Sequence, residues 1–456
     1  MTDIKEEKEL NILRNAVLLG ENIKNKNLIK SPQLIKTIRI LVDFLKKKEL
    51  LCYGGTAINN ILPKEDQFYN FDVEIPDFDF YSPNALNDAI ELSKIYYLNG
   101  FEEVEAKAGM HKGTFKVFVN FIPIADITYI PESLFNNLKK DSKVKNGIFY
   151  TPVEFLRMSM YLELSRPEGD ISRWEKVLKR LFLLNKVYPL KYKICPNIFN
   201  FESVLEDKKN RKIVNILKDA LIEDQVVFFG GFSLNLLSKY ATKKQKTNIE
   251  TLHTFDVLSV TPFSTLMIIM NTFKLLNFKN IKYIKHPQLE DLIGEHYQLY
   301  IDNIHFLTIY KPLSCNSYNE IIYKGKKIKV ATTETILSLY LLFMFTGHPY
   351  FDKNKMLCFA EYVFRIQQKY RLRKKGILKR YNINCYGKQL TFEKIKEIKS
   401  NKFKTLKHNK KSKEYKEWFL RYIPNNQNIK VKSKTKSKSK SKSKSKSKSK
   451  TRSNKK

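Results

Sequence analysis

Asp77-Phe78-Asp79-Phe80-Tyr81-Ser82 alternates two carboxylates with two aromatic rings. Residues two apart on a strand share a face, so Asp77 and Asp79 project together while Phe78 and Phe80 enter a core. Two adjacent acids repel, and a cation between them removes the repulsion. Taken alone, the pattern also fits a surface loop with two solvated acids. Upstream, Leu50-Leu51-Cys52-Tyr53-Gly54-Gly55-Thr56-Ala57-Ile58-Asn59 reads as an apolar strand, a Gly-Gly turn and a helix start. Such a turn lets backbone N–H groups approach a phosphate, and a helix N-terminus favours negative charge. Downstream, residues 114–129 alternate like a hairpin, and Asp126 sits in the apolar run Ile122-Pro123-Ile124-Ala125-Asp126-Ile127. A carboxylate there is costly unless paired or metal-bound. Together the turn, the acid pair and the third acid suit two Mg²⁺ ions bridging a nucleoside triphosphate and an attacking hydroxyl.

The 456-residue chain has room for two or three domains, and its 43% apolar content supplies a core. Its net charge of +37 favours polyanionic partners. Lysine outnumbers arginine 70 to 13, a bias that explains the choice of cation but not the excess of cations over acids. Cys52, Cys195, Cys315, Cys358 and Cys385 are scattered without a C-x-x-C pair, which argues against structural zinc and suits a reducing compartment. No signal peptide is visible, and the longest apolar run, Ile336 to Thr346, is too short to span a bilayer and reads as a buried helix. No membrane partner is expected.

Residues 3–20 and 31–48 read as amphipathic helices, the second capped by Ser31-Pro32. A helix follows Ser82-Pro83 and ends at Gly100. Strands are expected over 101–107 and 114–129, and helices over 153–164 and 172–187. The pattern then recurs. Val226-Val227-Phe228-Phe229-Gly230-Gly231 echoes the first glycine turn, Phe255-Asp256-Val257-Leu258 the acid strand, Phe306 to Pro312 the Asp126 strand, and Val330 to Tyr340 the helix start at Tyr150 to Tyr161. Gly54 to Glu154 spans 100 positions and Gly230 to Glu334 spans 104. Aligning Pro83 with Pro262 pairs Asp77 with Asp256 and Asp79 with Leu258. Aligning Pro131 with Pro312 pairs Asp126 with Leu307. The second copy thus keeps one acid of three and is expected to be catalytically dead.

After residue 348, basic and aromatic residues interleave. Arg365, Lys369, Arg371, Arg373, Lys374, Lys375, Lys379 and Arg380 run with Phe364, Tyr370 and Tyr381, and a cluster at 402–416 precedes Trp418, Phe419 and Tyr422. These are candidate RNA surfaces or solvated basic faces. A Lys-Ser tail from residue 432 carries 13 cations and no acid, leaving +24 on the body, and is expected to be disordered.

The three motifs, Tyr53 to Asn59, Asp77 to Ser82 and Ala125 to Pro131, resemble the DNA polymerase β-like nucleotidyltransferases, and within them the catalytic subunits of poxvirus-type poly(A) polymerases carried by giant viruses. The spacing from Gly55 to Asp77 is longer than usual there, which implies an insertion around 64–74. The resemblance implies an α+β fold: two tandem nucleotidyltransferase-like domains, each a mixed sheet flanked by helices, the first active and the second degenerate. The expected units are N-terminal helices over 1–48, a catalytic domain over 49–190, a degenerate domain over 191–348, a basic region over 349–430 and the tail over 431–456. It implies template-independent addition of AMP from ATP to an RNA 3′ end. The alternatives are another base preference or a noncatalytic RNA-binding or virion protein. Asp77, Asp79 and Asp126 would hold two Mg²⁺ or Mn²⁺ ions and carry the chemistry. Gly54, Gly55 and Thr56 would cradle the nucleotide phosphates. Further phosphate cations are open between Lys107, His111, Lys112 and Lys116 and the set Arg157, Arg173, Lys176 and Arg180. A homodimer and a processivity partner both stand open. The expected location is host cytoplasm, at the viral factory, or the virion.

Overall fold

Two eight-stranded mixed sheets, each flanked by helices, carry the chain. The computed structural model describes residues 4–72, 74, 77–191, 204–205, 207–242, 254–289, 291–347 and 351–425. The expected tail lies outside the described residues.

The first part runs α1 (Ile4–Ile29), α2 (Pro32–Lys48), β1 (Leu51–Tyr53), α3 (Gly54–Ile61), β2 (Phe78–Ser82), α4 (Ala85–Leu98), β3 (Val104–Ala108), β4 (Thr114–Val119), β5 (Ile122–Tyr129), α5 (Glu132–Lys140), β6 (Lys143–Lys145), β7 (Ile148–Tyr150), α6 (Val153–Leu164) and α7 (Trp174–Val187). The second runs α8 (Lys208–Glu223), β8 (Val227–Phe228), α9 (Gly231–Leu237), β9 (Phe255–Leu258), α10 (Pro262–Leu275), β10 (Ile281–His286), β11 (His296–Ile301), β12 (Ile304–Tyr310), β13 (Asn316–Tyr323), β14 (Lys326–Ala331) and α11 (Thr333–Phe343). The remainder is α12 (Lys353–Lys369), β15 (Cys385–Tyr386), α13 (Phe392–Leu406), α14 (Lys413–Phe419) and β16 (Arg421–Tyr422).

The first sheet has the order β16-β3-β4-β5-β2-β1-β7-β6, and the second β10-β11-β12-β9-β8-β14-β13-β15. Without β16 and β15, the two orders superpose strand for strand, which is the internal repeat in three dimensions. The segment after residue 384 adds one edge strand to each sheet, at opposite ends.

Local chemistry explains the elements that matter. Ser31 accepts the Leu34 N–H, Pro32 opens α2, and Leu34, Leu41 and Leu45 are buried along it. The β4–β5 hairpin turns through Asn120 and Phe121, both at positive φ. One expectation fails: α1 is a helix, longer than read, but buries none of its residues. Its apolar residues, Leu10, Ile12, Leu13, Val17, Leu18 and Leu19 among them, are spread round the helix and exposed instead of gathered on one stripe.

The repeats meet through equivalent helices, α6 against α11. Ser165 accepts the Ser317 N–H at 2.9 Å, and Tyr161 donates to Gln367 at 3.0 Å. Glu334, at the start of α11, is fully buried. Arg380 and Gln367 both hold its carboxylate. Arg380 is therefore buried inside the protein, which removes it from the candidate RNA surface; Arg365 is paired with Glu361. Cys315, just before β13, and Cys385 of β15 form a disulfide with Cα atoms 5.3 Å apart, against the expectation of reduced cysteines.

Arg380→Ala leaves the Glu334 carboxylate buried without its cation. Denaturant unfolding is expected to show a loss of about 3–5 kcal/mol. A variant that unfolds like the parent and only loses RNA affinity would place Arg380 on the surface.

Candidate active site

β1 ends at Tyr53, and the chain enters α3 through Gly54 at φ +72. A Cβ on Gly54 would lie 2.4 Å from an Asp79 carboxylate oxygen, so only glycine lets the turn approach this acid. At Gly55 a Cβ would lie 2.3 Å from the Tyr69 hydroxyl and 2.8 Å from an Arg180 nitrogen. Thr56 donates to the Asp77 carbonyl. β2 is antiparallel to β1, with Asp79 opposite Tyr53, and parallel to β5, with Asp79 opposite Asp126. Phe78 and Phe80 are buried, as the alternation required. Asp77 stands one residue before the strand; the residue's surface is open to solvent, while surrounding groups partly desolvate its carboxyl. The three acids lie on neighbouring strands beside the glycine turn, Asp77 just before β2, Asp79 near its start and Asp126 within β5.

Burial pushes the Asp79 carboxyl up to about 7, and the negative charges of Asp77 and Asp126 add to the shift. Asp77 is raised as well, by burial and then by Asp126; Lys116, Lys176 and Arg180 offset this in part. Lys116 is ion-paired with Asp126. The carboxylates are not drawn to one point: among the described residues, the His, Cys, Asp and Glu ligand atoms that cluster within 4.8 Å belong to Glu168, Cys315 and Cys385, and the two cysteines are bonded to each other. Mutual repulsion and the hold of Lys116 on Asp126 account for the spread. Asp77 and Asp79, raised by burial and by neighbouring negative charge, form with Asp126 a hard-oxygen donor set suited to Mg²⁺ or Mn²⁺.

The cations left open by the sequence separate clearly. Arg157 is fully buried and binds Asn185 at 2.9 Å and the Tyr188 carbonyl, so it is structural and not at the site. Lys112 faces Glu417 at 3.6 Å. His111 lies in an exposed turn beside Phe392; burial of its ring, then Lys399, lowers its pKa. Arg173, Lys176 and Arg180 come from the α7 side, and their charges reach the acids. Arg180 donates to the Tyr69 hydroxyl at 2.7 Å and lies over the Phe68 ring. Tyr69 is a residue that the sequence reading missed. It lies in the 64–74 segment, where Asn59 accepts the Phe68 and Tyr69 N–H groups. The aromatic run Phe68-Tyr69-Asn70-Phe71 was the available signal.

Residues 39–170 match the family model for the poly(A) polymerase catalytic subunit. A protein of Acanthamoeba polyphaga mimivirus, provisionally named a poly(A) polymerase catalytic subunit, is 24% identical over 463 residues, covering 90% of this chain and 76% of that protein. An African swine fever virus protein with the same provisional name is 32% identical over 174 residues, 37% of this chain and 36% of that protein. The chain resembles viral poly(A) polymerase catalytic subunits. The crystal structure of the Megavirus polyadenylate synthase shares the fold, with a TM-score of 0.76 at 20% identity, covering 97% of this chain and 90% of that one.

Beside this poly(A) polymerase-like site, the second copy corrects the sequence alignment. Ser82 accepts the Asn84 N–H and donates to Asp88; Ser259 accepts the Thr261 N–H and pairs with Thr265. These matched contacts equate Ser82 with Ser259, and hence Asp79, not Asp77, with Asp256. Gly230 confirms it, since a Cβ there would lie 2.1 Å from the Asp256 carboxylate. Thr308 stands opposite Asp256, in the place of Asp126, and Thr254 falls at Asp77. The prolines misled because Pro262 is the first helical residue of α10, whereas Pro83 precedes the N-cap of α4. The count of one acid in three stands. Burial pushes the retained Asp256 up to about 6, against the pull of Lys355 and a hydrogen bond from Thr308. A lysine charge faces the acid there.

Gly54→Ala should force the turn and Asp79 apart. Its melting temperature should fall below the parent's, read by thermal denaturation.

Proposed function

We propose that the chain is a template-independent poly(A) polymerase, adding AMP from ATP to the 3′ end of RNA at Asp77, Asp79 and Asp126. The observation that carries this reading is the register of Asp79 with Asp126 beside Gly54, present in the first repeat and replaced by Asp256, Thr308 and a lysine in the second. Divalent cations held by the three carboxylates would neutralise the triphosphate and lower the pKa of the attacking hydroxyl. The chain's own residues do the positioning. Gly54 and Gly55 open α3, and N–H groups at a helix start suit phosphate oxygens. Arg180, Lys176 and Arg173 approach from α7 and suit the β- and γ-phosphates. The RNA 3′-oxygen forms a bond to the α-phosphorus as the α–β bridging bond breaks. Pyrophosphate leaves with the electron pair, and the hydroxyl proton passes to water. The relatives are named as catalytic subunits, which is the ground for extending a processivity partner to this chain.

Purified protein, a labelled RNA primer, Mg²⁺ or Mn²⁺ and each NTP separately should give primer extension, best with ATP and abolished by EDTA. Asp77→Ala combined with Asp79→Ala should remove extension while RNA binding persists; full extension by that variant would refute the metal assignment. Arg180→Gln is expected to raise the KM for ATP about tenfold or more, with the KM for primer unchanged, corresponding to loss of a charge-assisted contact of about 1.5–3 kcal/mol.

A further inference from the structure

The registers of six strands place one continuous row across the first sheet. Tyr53 is opposite Asp79, Asp79 opposite Asp126, Asp126 opposite Lys116, Lys116 opposite Lys107, and Lys107 opposite Arg421. Directly paired residues share a face of the sheet. This is the face away from the core, since Phe115, Val117 and Ala106, the sequence neighbours of the two lysines, are buried on the other side. The row therefore passes from two carboxylates to three cations. At ~4.8 Å per strand, Arg421 lies about 14 Å from Asp126. The Lys107 and Arg421 side chains are 45% and 76% exposed, so the outer row is open to a ligand.

Two further observations give the row meaning. Its equivalent in the second sheet runs Asp256, Thr308, Gln298, Ile284 and has no cation. The cations accompany the acid-bearing copy alone. The last of them is supplied by β16, which the chain brings back from more than three hundred residues away to pair with β3. The cations of α7 approach the acids from elsewhere, at the glycine turn, where Arg180 touches the Gly55 position. A triphosphate seated at that turn leaves the row unoccupied.

We infer that Lys107 and Arg421, outward from Lys116, form a track for the backbone phosphates of a single-stranded RNA whose 3′ end lies at Asp126. This rests on the polymerase reading of the acids. The third acid lies nearest the row and the glycine turn on its far side, so the attacking hydroxyl enters from the row and the nucleotide from α7. Glu105 is the internal competitor: it lies 2.8 Å from Arg421 and 4.0 Å from Lys107. Pairs this exposed contribute little, so phosphates displace the carboxylate readily.

The test uses the full-length protein with Lys107→Gln, Arg421→Gln, the double variant and Glu105→Gln. Both cations are exposed, and thermal melts confirm that the variants fold. Anisotropy with labelled oligoadenylate reads binding directly, and extension kinetics read the KM for primer and for ATP. The double variant should weaken RNA binding about tenfold and reduce the slope of log K against log salt by about 1.4, from two contacts at about 0.7 each on a single strand. The KM for ATP should not move. Glu105→Gln should shift affinity the other way. Unchanged RNA affinity and salt slope in the double variant would overturn the track, as would a rise in the KM for ATP with the primer KM constant. Failure of the parent to extend RNA with any NTP would instead defeat the polymerase reading, and the anisotropy series would still decide whether RNA follows the row.

Discussion

The approach of Gly54 to Asp79 is the constraint on which the rest of the site depends. A backbone at positive φ, without a side chain, passes close against a half-buried carboxylate. That contact ties the N-terminus of α3 to β2, and the parallel pairing of β2 with β5 then sets Asp126 beside Asp79. Burial and two neighbouring negative charges raise Asp79, a cost that folding alone has no reason to incur. The strands meet the cost through their cores: Phe78, Phe80, Ile127 and Phe115 are buried on the opposite side. A site of this kind places a demand for positive charge at a defined point, and both α7 and the β4–β3–β16 edge answer it from different directions.

The duplicated sheet shows what the scaffold retains when that demand is gone. Seven strands keep their order, the glycine turn keeps its approach to an aspartate, and the serine that links strand to helix keeps its contacts. The charge does not persist. Threonines stand where two acids were, glutamine and isoleucine replace the lysines of the row, and Lys355 faces the single acid that remains. Backbone geometry is held by packing over many residues, whereas a charge pattern is held only by what it binds. The two copies are joined by α6 and α11, with Glu334, Arg380 and Gln367 buried at that contact.

Much of this was legible in the chain. Alternation at 77–82 and 114–129, the Ser31-Pro32 cap and the glycine pairs each act through neighbours in sequence, so local rules suffice to read them. The repeat was visible for the same reason. Its register was not: proline alignment put Asp256 at Asp77, and only the serine contacts and strand pairing moved it to Asp79. Arg157 and Arg380 looked like surface cations, yet they are buried, because a basic residue within a mixed run carries no mark of the carbonyl or carboxylate waiting for it. Tyr69 went unread because its importance comes from Arg180, more than a hundred positions away.

The sequence by itself determined that the fold occurs twice, that the first copy carries three acids beside a glycine turn and the second only one, and that the chain bears a large positive charge. These follow from short patterns whose meaning is carried by adjacent residues. Only the tertiary structure decided which cations belong to which side of the acids. Lys107 and Lys116 lie on consecutive strands and Arg421 on one from more than three hundred residues away, and they form one row solely because backbone hydrogen bonds fix the strands in register. Register is a property of paired strands, and no single strand contains it.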